Sequence, residues 1–235
     1  MAAAKVGGIL ANTKYPAEFI YDNLVIQTNI IHQSYLCGVK KLLFLGSSCI
    51  YPYNAPQRIS EDYFLTGPLE STNAPYAVAK IADIKMCQSY NKQYGTNFIS
   101  VMPTNLYGPN DNFDLETSHV MAALIRKFYE AKIYNKKVVE VWGSGKPRRK
   151  FLYVDDLADA CLFLMKNYNS DEIINIGTVV DKTITELAEL IKKIIGYKAE
   201  IIYDLDKPYG MIEKLLDVKK ILLWGGSQNM ILRME

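Results

Sequence analysis

"GVKKLLFLGSSCIYP", residues 38–52, sets four consecutive apolar side chains, Leu42 to Leu45, between a helix-ending glycine and a run of small polar residues. An apolar run this short, closed by Gly-Ser-Ser, has the pattern of a strand buried on both faces of a parallel sheet. Upstream, residues 16–36 carry apolar positions at helical spacing and end near Gly38, a C-cap candidate. Downstream, "STNAPYAVAKIADIKMCQSYNKQYG" (71–95) offers cap residues, a proline in the first turn and a terminal glycine, which predicts a long helix. "NFISVMPTNLYGP" (97–109) then reads as a second buried strand entering a Pro/Gly loop.

Helix, strand, helix, strand is the alternation of an α/β doubly wound parallel sheet, in which ligands bind beyond the carboxyl ends of the strands. The loops "GSSCIY" and "PTNLYGP" are therefore the places to look for chemistry. The second half changes character: residues 118–135 are helical, "VVEVWGSGKPRRKFLYVDDL" mixes a strand with a basic turn, and "TITELAELIKKIIG" (183–196) is an amphipathic helix capped by threonine. "EIINIG" and "AEIIYD" punctuate it as strands. This predicts a smaller α/β substrate domain from 108 to 235, with segments returning to the sheet, on a cofactor domain from 1 to 107.

The balance of 27 basic and 25 acidic residues, a net charge of +2, gives no global field to attract nucleic acid or an anionic membrane. Apolar runs stay well below the roughly 18 residues needed to cross a bilayer. The four cysteines are scattered without C-x-x-C spacing, which excludes a zinc framework and fits a reducing cytoplasm. No metal site is expected.

Tyr76 and Lys80 stand four residues apart with only small side chains between, so one helix face would carry both. Such a pair alone is also what an exposed helix surface presents. In a cleft, an ammonium beside a phenol would pull its pKa down from about 10 and make Tyr76 a proton donor. Ser47 and Ser48, at the end of a central strand, could hydrogen-bond the same substrate oxygen.

A strand ending in Gly-Ser-Ser, a Tyr-x-x-x-Lys helix and a strand ending "PTNLYGP" is similar to extended short-chain dehydrogenase/reductases acting on nucleotide sugars. The segments "AAKVGGI", "KLLFLGSSCIYP", "YAVAKIADIKMC", "VMPTNLYGPNDNF", "SHV", "WGSGKPRRKFLYVDDLADA" and "KLLDV" resemble the GDP-L-fucose synthase family, in its order. The resemblance implies an NAD(P)-binding Rossmann-like fold, a GDP-sugar substrate and NADP(H). It implies epimerisation of GDP-4-keto-6-deoxy-D-mannose at C3 and C5, then reduction at C4. Cys49 and His119 match that family's acid/base pair, working with Ser47, Tyr76 and Lys80. Leu45, Gly46, Ser47, Ser48, Lys80, Pro103, Thr104, Asn105, Leu106 and His119 correspond to cofactor contacts. Lys127, Trp142, Arg149 and Asp217 correspond to contacts with the GDP-sugar. Without the resemblance, Cys49 reads more readily as a buried apolar thiol, His119 as a loop or helix-cap residue and "KPRRK" (146–150) as a solvated charge run or localisation signal. A homodimer through residues 16–36 and the Tyr/Lys helix is also implied.

The sequence departs from the family's pattern in several places. It contains no G-x-x-G-x-x-G, the turn that offers backbone N–H groups to a pyrophosphate. "VGGI" (6–9) lacks that spacing and falls, by the resemblance, at the end of the fourth strand, so that about sixty residues of the doubly wound unit are expected to be missing. "PYGMIEK" (208–214) replaces a segment richer in charge, Met121-Ala122 stands for Ile-Pro, Tyr153 for a His, and the stretch after Trp224 follows no family pattern. Two alternatives therefore stay open: a non-catalytic or split fragment, and another nucleotide-sugar epimerase or dehydratase.

Overall fold

The computed structural model describes residues 1–207 and 210–225. The departures read at 208–209 and 226–235 lie outside the described residues.

The chain enters through α1 (Ile9–Lys14) and α2 (Pro16–Leu36), and then β1 (Leu42–Leu45), the apolar run that decides the fold. Next come α3 (Ala74–Tyr94), β2 (Phe98–Pro103) and β3 (Asn105–Tyr107). The second half runs α4 (Val120–Ile133), β4 (Val138–Trp142), β5 (Arg148–Arg149), β6 (Phe151–Tyr153), α5 (Val154–Asn167) and β7 (Ile174–Ile176). It closes with β8 (Lys182–Thr183), α6 (Ile184–Ile195), β9 (Glu200–Asp204), β10 (Glu213–Lys214) and α7 (Lys219–Leu223).

Strands β1, β2 and β7 form a parallel sheet in that order, with Leu42 opposite Phe98 and Val101 opposite Ile174. All six residues of β2 are buried, as a strand covered on both faces demands. Helix α3 begins with Pro75 in its first turn and stops where Gly95 takes the left-handed conformation at φ 67°, a geometry that a Cβ would strain. The core around this sheet draws on both halves of the chain, packing Phe44, Ile99 and Met102 against Leu152, Leu164 and Leu216. Burying each such side chain stabilises the fold by about 1.5–3 kcal/mol. A second core lies under α4 and α6, where Leu124, Phe128, Val139, Val141, Leu187 and Ile191 meet. Helix α6 there has a full capping box between Thr183 and Glu186.

Two expectations are corrected. "PTNLYGP" is not all loop: β2 runs to Pro103, the chain breaks at Thr104, whose N–H donates to the Ile176 carbonyl, and 105–107 form β3, which pairs with β6 in a separate parallel sheet. That break carries the chain from the first core toward the second. "VGGI" does not end a strand either. Residues 1–8 are irregular; the Met1 amino group donates to the Leu43 carbonyl, the Leu45 N–H donates to the Met1 carbonyl, and Met1 packs against the core around β1. Gly8 instead presses its backbone on the 117–118 loop, where an added Cβ would fall 2.4 Å from the Ser118 carbonyl oxygen.

Candidate active site

At the carboxyl end of β1, Ser47 adopts extended backbone and caps the short turn 48–50, accepting a hydrogen bond from the Cys49 N–H at 3.3 Å. Its hydroxyl also meets the phenol of Tyr76. One turn along α3, the Lys80 ammonium donates to the Leu45 carbonyl at 2.8 Å and lies 5.7 Å from the Tyr76 ring centroid. Lys80 is only 3% exposed, so the reading of an exposed helical pair does not hold. Helical spacing, the small side chains of Ala77 and Ala79 and the exit of β1 together put phenol, hydroxyl and ammonium in one place.

The electrostatics correct one expectation. Burial pushes the Tyr76 phenol well above its ordinary pKa, the nearby Cys49 adds to the rise, and only the Ser47 hydrogen bond opposes it. Dehydration thus outweighs any help from the ammonium, and Tyr76 stands as a protonated donor. Burial in turn lowers Lys80 to about 8, against the favourable pull of Cys49 and Asp83. The Cys49 thiol is raised by burial, while Lys214, Ser47 and Lys80 all act to bring it back down.

The facing wall comes from the second half. His119 occupies the N-cap position of α4 without capping it by its side chain, which leaves the ring free to face the cleft. Crowding by the cleft walls lowers its pKa, Asp111 opposing and Lys214 reinforcing the shift. Lys127 of α4 donates to the Glu140 carbonyl at 2.9 Å and sits 5.1 Å from the Trp142 ring, a cation–π contact that Lys207 repeats at 5.6 Å. Arg149 donates to the Arg148 carbonyl at 2.8 Å and to the Met211 carbonyl at 2.6 Å, and burial brings it down to about 10. The basic run is therefore no solvated patch. Arg148 pairs with Asp181 at 2.5 Å, Arg149 lines the cleft, and Lys150 is 1% exposed with its ammonium on the Leu216 carbonyl.

One cleft of about 270 Å³ brings Ser47, Ser48, Cys49, Tyr76, Asn105, Leu106, His119, Lys127, Trp142 and Arg149 together. Leu45, Gly46, Lys80, Pro103 and Thr104 lie behind that lining. Gly46 is small for packing, since a Cβ there would fall 2.4 Å from the Met102 sulfur. The Thr104 hydroxyl is bound to the Lys150 carbonyl. Asp217 is not brought to the cleft: it holds the Lys219 N–H at 2.9 Å at the start of α7, and its own N–H donates to Ile59. Among the lining residues that the sequence reading did not assign to the site are Lys214, Glu70 and Asn73. Lys214, paired in register with Arg149, acts on both Cys49 and His119. Glu70 faces the same space, and Asn73, read as a helix cap, makes no side-chain cap bond and keeps a buried Oδ1 without a partner among the described residues. Lys214 lay inside the "KLLDV" segment, but no spacing rule ties it to Cys49 across more than 160 positions.

Residues 1–177 match the family model described as NAD dependent epimerase/dehydratase family. A putative GDP-L-fucose synthase 2 of Arabidopsis thaliana is 58% identical over 99% of this chain and 71% of its own length. The GDP-L-fucose synthase of Escherichia coli is 54% identical over 94% of this chain and 72% of its own. Among solved structures, a GDP-L-fucose synthetase from Naegleria fowleri bound to NADP superposes with a TM-score of 0.89 at 32% identity, covering 98% of this chain and 71% of that one. The chain belongs to the NAD dependent epimerase/dehydratase family, on the branch of the GDP-L-fucose synthases.

Proposed function

We propose that the chain converts GDP-4-keto-6-deoxy-D-mannose to GDP-L-fucose, exchanging the protons at C3 and C5 and reducing the C4 ketone. The observation that carries this reading is one cleft lined by Ser47 and Tyr76, suited to a carbonyl and backed by the Lys80 ammonium beside the Tyr76 ring, and by Cys49 and His119, suited to carbon acids.

The reaction needs two kinds of proton transfer, and the residues divide accordingly. Protons next to a ketone are acidic enough to leave when a base stands within reach and the carbonyl oxygen is held by donors. His119, which burial keeps from taking up a proton, suits the base, and Cys49, whose thiol burial holds protonated against the pull of Lys214, Ser47 and Lys80, suits the acid, so that a proton leaves one face and another arrives on the other. Ser47 and Tyr76 hold the C4 oxygen, and Tyr76 gives up its proton as that oxygen gains charge. Arg149, its fork aimed by two backbone carbonyls, and the Lys127–Trp142 pair suit the diphosphate and base of a GDP-sugar.

NADPH fits at its nicotinamide-ribose end, because the Lys80 ammonium makes one hydrogen bond to a backbone carbonyl and keeps donors for ribose hydroxyls. Bound there, it supplies the hydride for C4. Leu45, Ser48, Asn105 and Leu106 would flank it. Residues 1–107 are assigned to the cofactor side and 108–235 to the substrate side, with returning segments. Exposed Tyr21 and Val25 on α2 and Val78 and Tyr94 on α3 support pairing of two copies through these helices. The free thiols suit a cytoplasmic setting.

Incubation with GDP-4-keto-6-deoxy-D-mannose and NADPH tests the reading, absorbance at the nicotinamide band being followed against a Tyr76→Phe control. No oxidation above the control would remove the reductase assignment. The competing reading is a sugar-nucleotide binder that turns nothing over. Titration of NADPH against tryptophan fluorescence separates the two, since a complete site saturates at micromolar levels.

A further inference from the structure

Behind Lys80, away from the cleft, a carboxylate and two amides are buried where the proposed mechanism gives them no task. Asp83 is 0% exposed and lies three residues after Lys80, one turn along the same helix. Its Oδ1 has no hydrogen-bond partner among the described residues. From α2, Asn23 and Gln27, each 0% exposed, close the space. No direct ion pair joins Asp83 to Lys80 among the described residues; the Gln27 amide stands between them.

That amide can be set in two ways. With its nitrogen toward Asp83, Gln27 donates to Asp83 Oδ2 while its carbonyl accepts from the Lys80 ammonium at 3.1 Å, at the cost of facing Asn23 Oδ1 at 3.1 Å with no hydrogen between the two oxygens. Turned over, its nitrogen donates to Asn23 Oδ1 at 3.1 Å, and its oxygen faces Asp83 Oδ2, a contact that holds only when the carboxyl carries a proton. Asn23 cannot turn to compensate, because its oxygen accepts from the Lys5 N–H at 2.9 Å and its nitrogen donates to the Lys5 and Phe19 carbonyls. The first setting puts an acceptor on the Lys80 ammonium; the second puts N–H against it.

We infer that Asp83, acting through Gln27, is a positioning residue that keeps Lys80 charged and aimed at the Leu45 carbonyl and the Tyr76 phenol through the neutral pH range. The inference rests on the proposed reductase reading for its effect on turnover, and on buried geometry alone for its effect on Lys80. The titration behaviour fits: burial raises Asp83 to about 7, against the opposing pull of Lys80, so the carboxylate ionises just below the midpoint of about 8 at Lys80. The other titratable groups near this cluster among the described residues are Cys87 on α3, which feels Asp83, and Cys49 and the Met1 amino group, which face Lys80. Helix α2 presents only amides.

Asp83→Asn places a permanent N–H where the carboxyl proton would sit and favours the second Gln27 setting without changing side-chain shape. The test follows the Lys80 side chain by NMR through a pH titration of the full chain, the signal being assigned by its loss in Lys80→Arg. Asp83→Asn should lower the Lys80 midpoint by about one pH unit, a tenfold fall in the charged fraction on the alkaline side. Gln27→Leu should move it the same way by less, and decides alone where Asp83→Asn does not fold. The alkaline limb of NADPH oxidation should move down with the midpoint in a variant that circular dichroism shows to stay folded over that range. An unmoved Lys80 midpoint in a folded variant overturns the inference even where the parent oxidises NADPH. A parent that oxidises none, with the midpoint shifted as expected, removes the functional reading and leaves the inference standing.

Discussion

The two walls of the cleft are built by different means. On the sheet side, Ser47, Tyr76 and Lys80 hang from one strand end and one long helix, Lys80 buried and the other two half-buried. On the other side, His119 sits at a helix start, Arg149 and Lys214 on paired strands of two residues, and Trp142 at a strand end, brought together by tertiary packing and not by one element. The first wall is dry and holds a proton on Tyr76. The second is richer in cations and suits an anionic ligand. Chemistry at the ketone needs groups that do not move, while a large nucleotide-sugar needs a surface assembled around it.

Changes to each wall should therefore break different parts of the reaction. Tyr76→Phe keeps the packing but removes the donor, and NADPH oxidation should fall by about 10²–10⁴-fold while solvent deuterium still enters C3 and C5. Cys49→Ser and His119→Gln should do the reverse at the carbon acid, cutting deuterium entry by about 10²-fold, as read by mass spectrometry of the recovered sugar. Arg149→Lys retains charge but loses the fork, so KM for the GDP-sugar should rise by about tenfold with kcat little changed.

Stability separates the walls further. Because the native state raises Asp83, it binds that proton more tightly than the unfolded chain does. The contribution of Asp83 is then fully present below about pH 4 and is lost as pH climbs through about 7. Urea unfolding at several pH values should show that decline in the parent and a flatter line in Asp83→Asn. The smallest effect is expected from Thr183→Ala, which opens the capping box of α6 and should cost about 1 kcal/mol without touching the sheet side.

The sheet side was legible in the sequence because its rules are local. Leu42 to Leu45 read as a buried strand, Pro75 and Gly95 bounded α3, and i to i+4 spacing joined Tyr76 to Lys80. Its electrostatics were not legible, since the burial that raises Tyr76 depends on Phe19, Cys49 and the second half closing over it. On the other wall, Cys49 and His119 were found only through resemblance, and Arg149 could not be told from Arg148 by charge. Lys214 and Asn73 went unassigned because contacts across such separations leave no periodic trace. Asp217 was misplaced for the complementary reason: a segment can match in order while its side chain serves the start of a helix.

The most direct test of the account is to run the reaction in deuterated water with parent and Tyr76→Phe, measuring NADPH oxidation and deuterium at C3 and C5 in the same samples. The account predicts that the variant loses oxidation and keeps carbon-bound deuterium. Oxidation that survives in Tyr76→Phe at the parent's rate would contradict it.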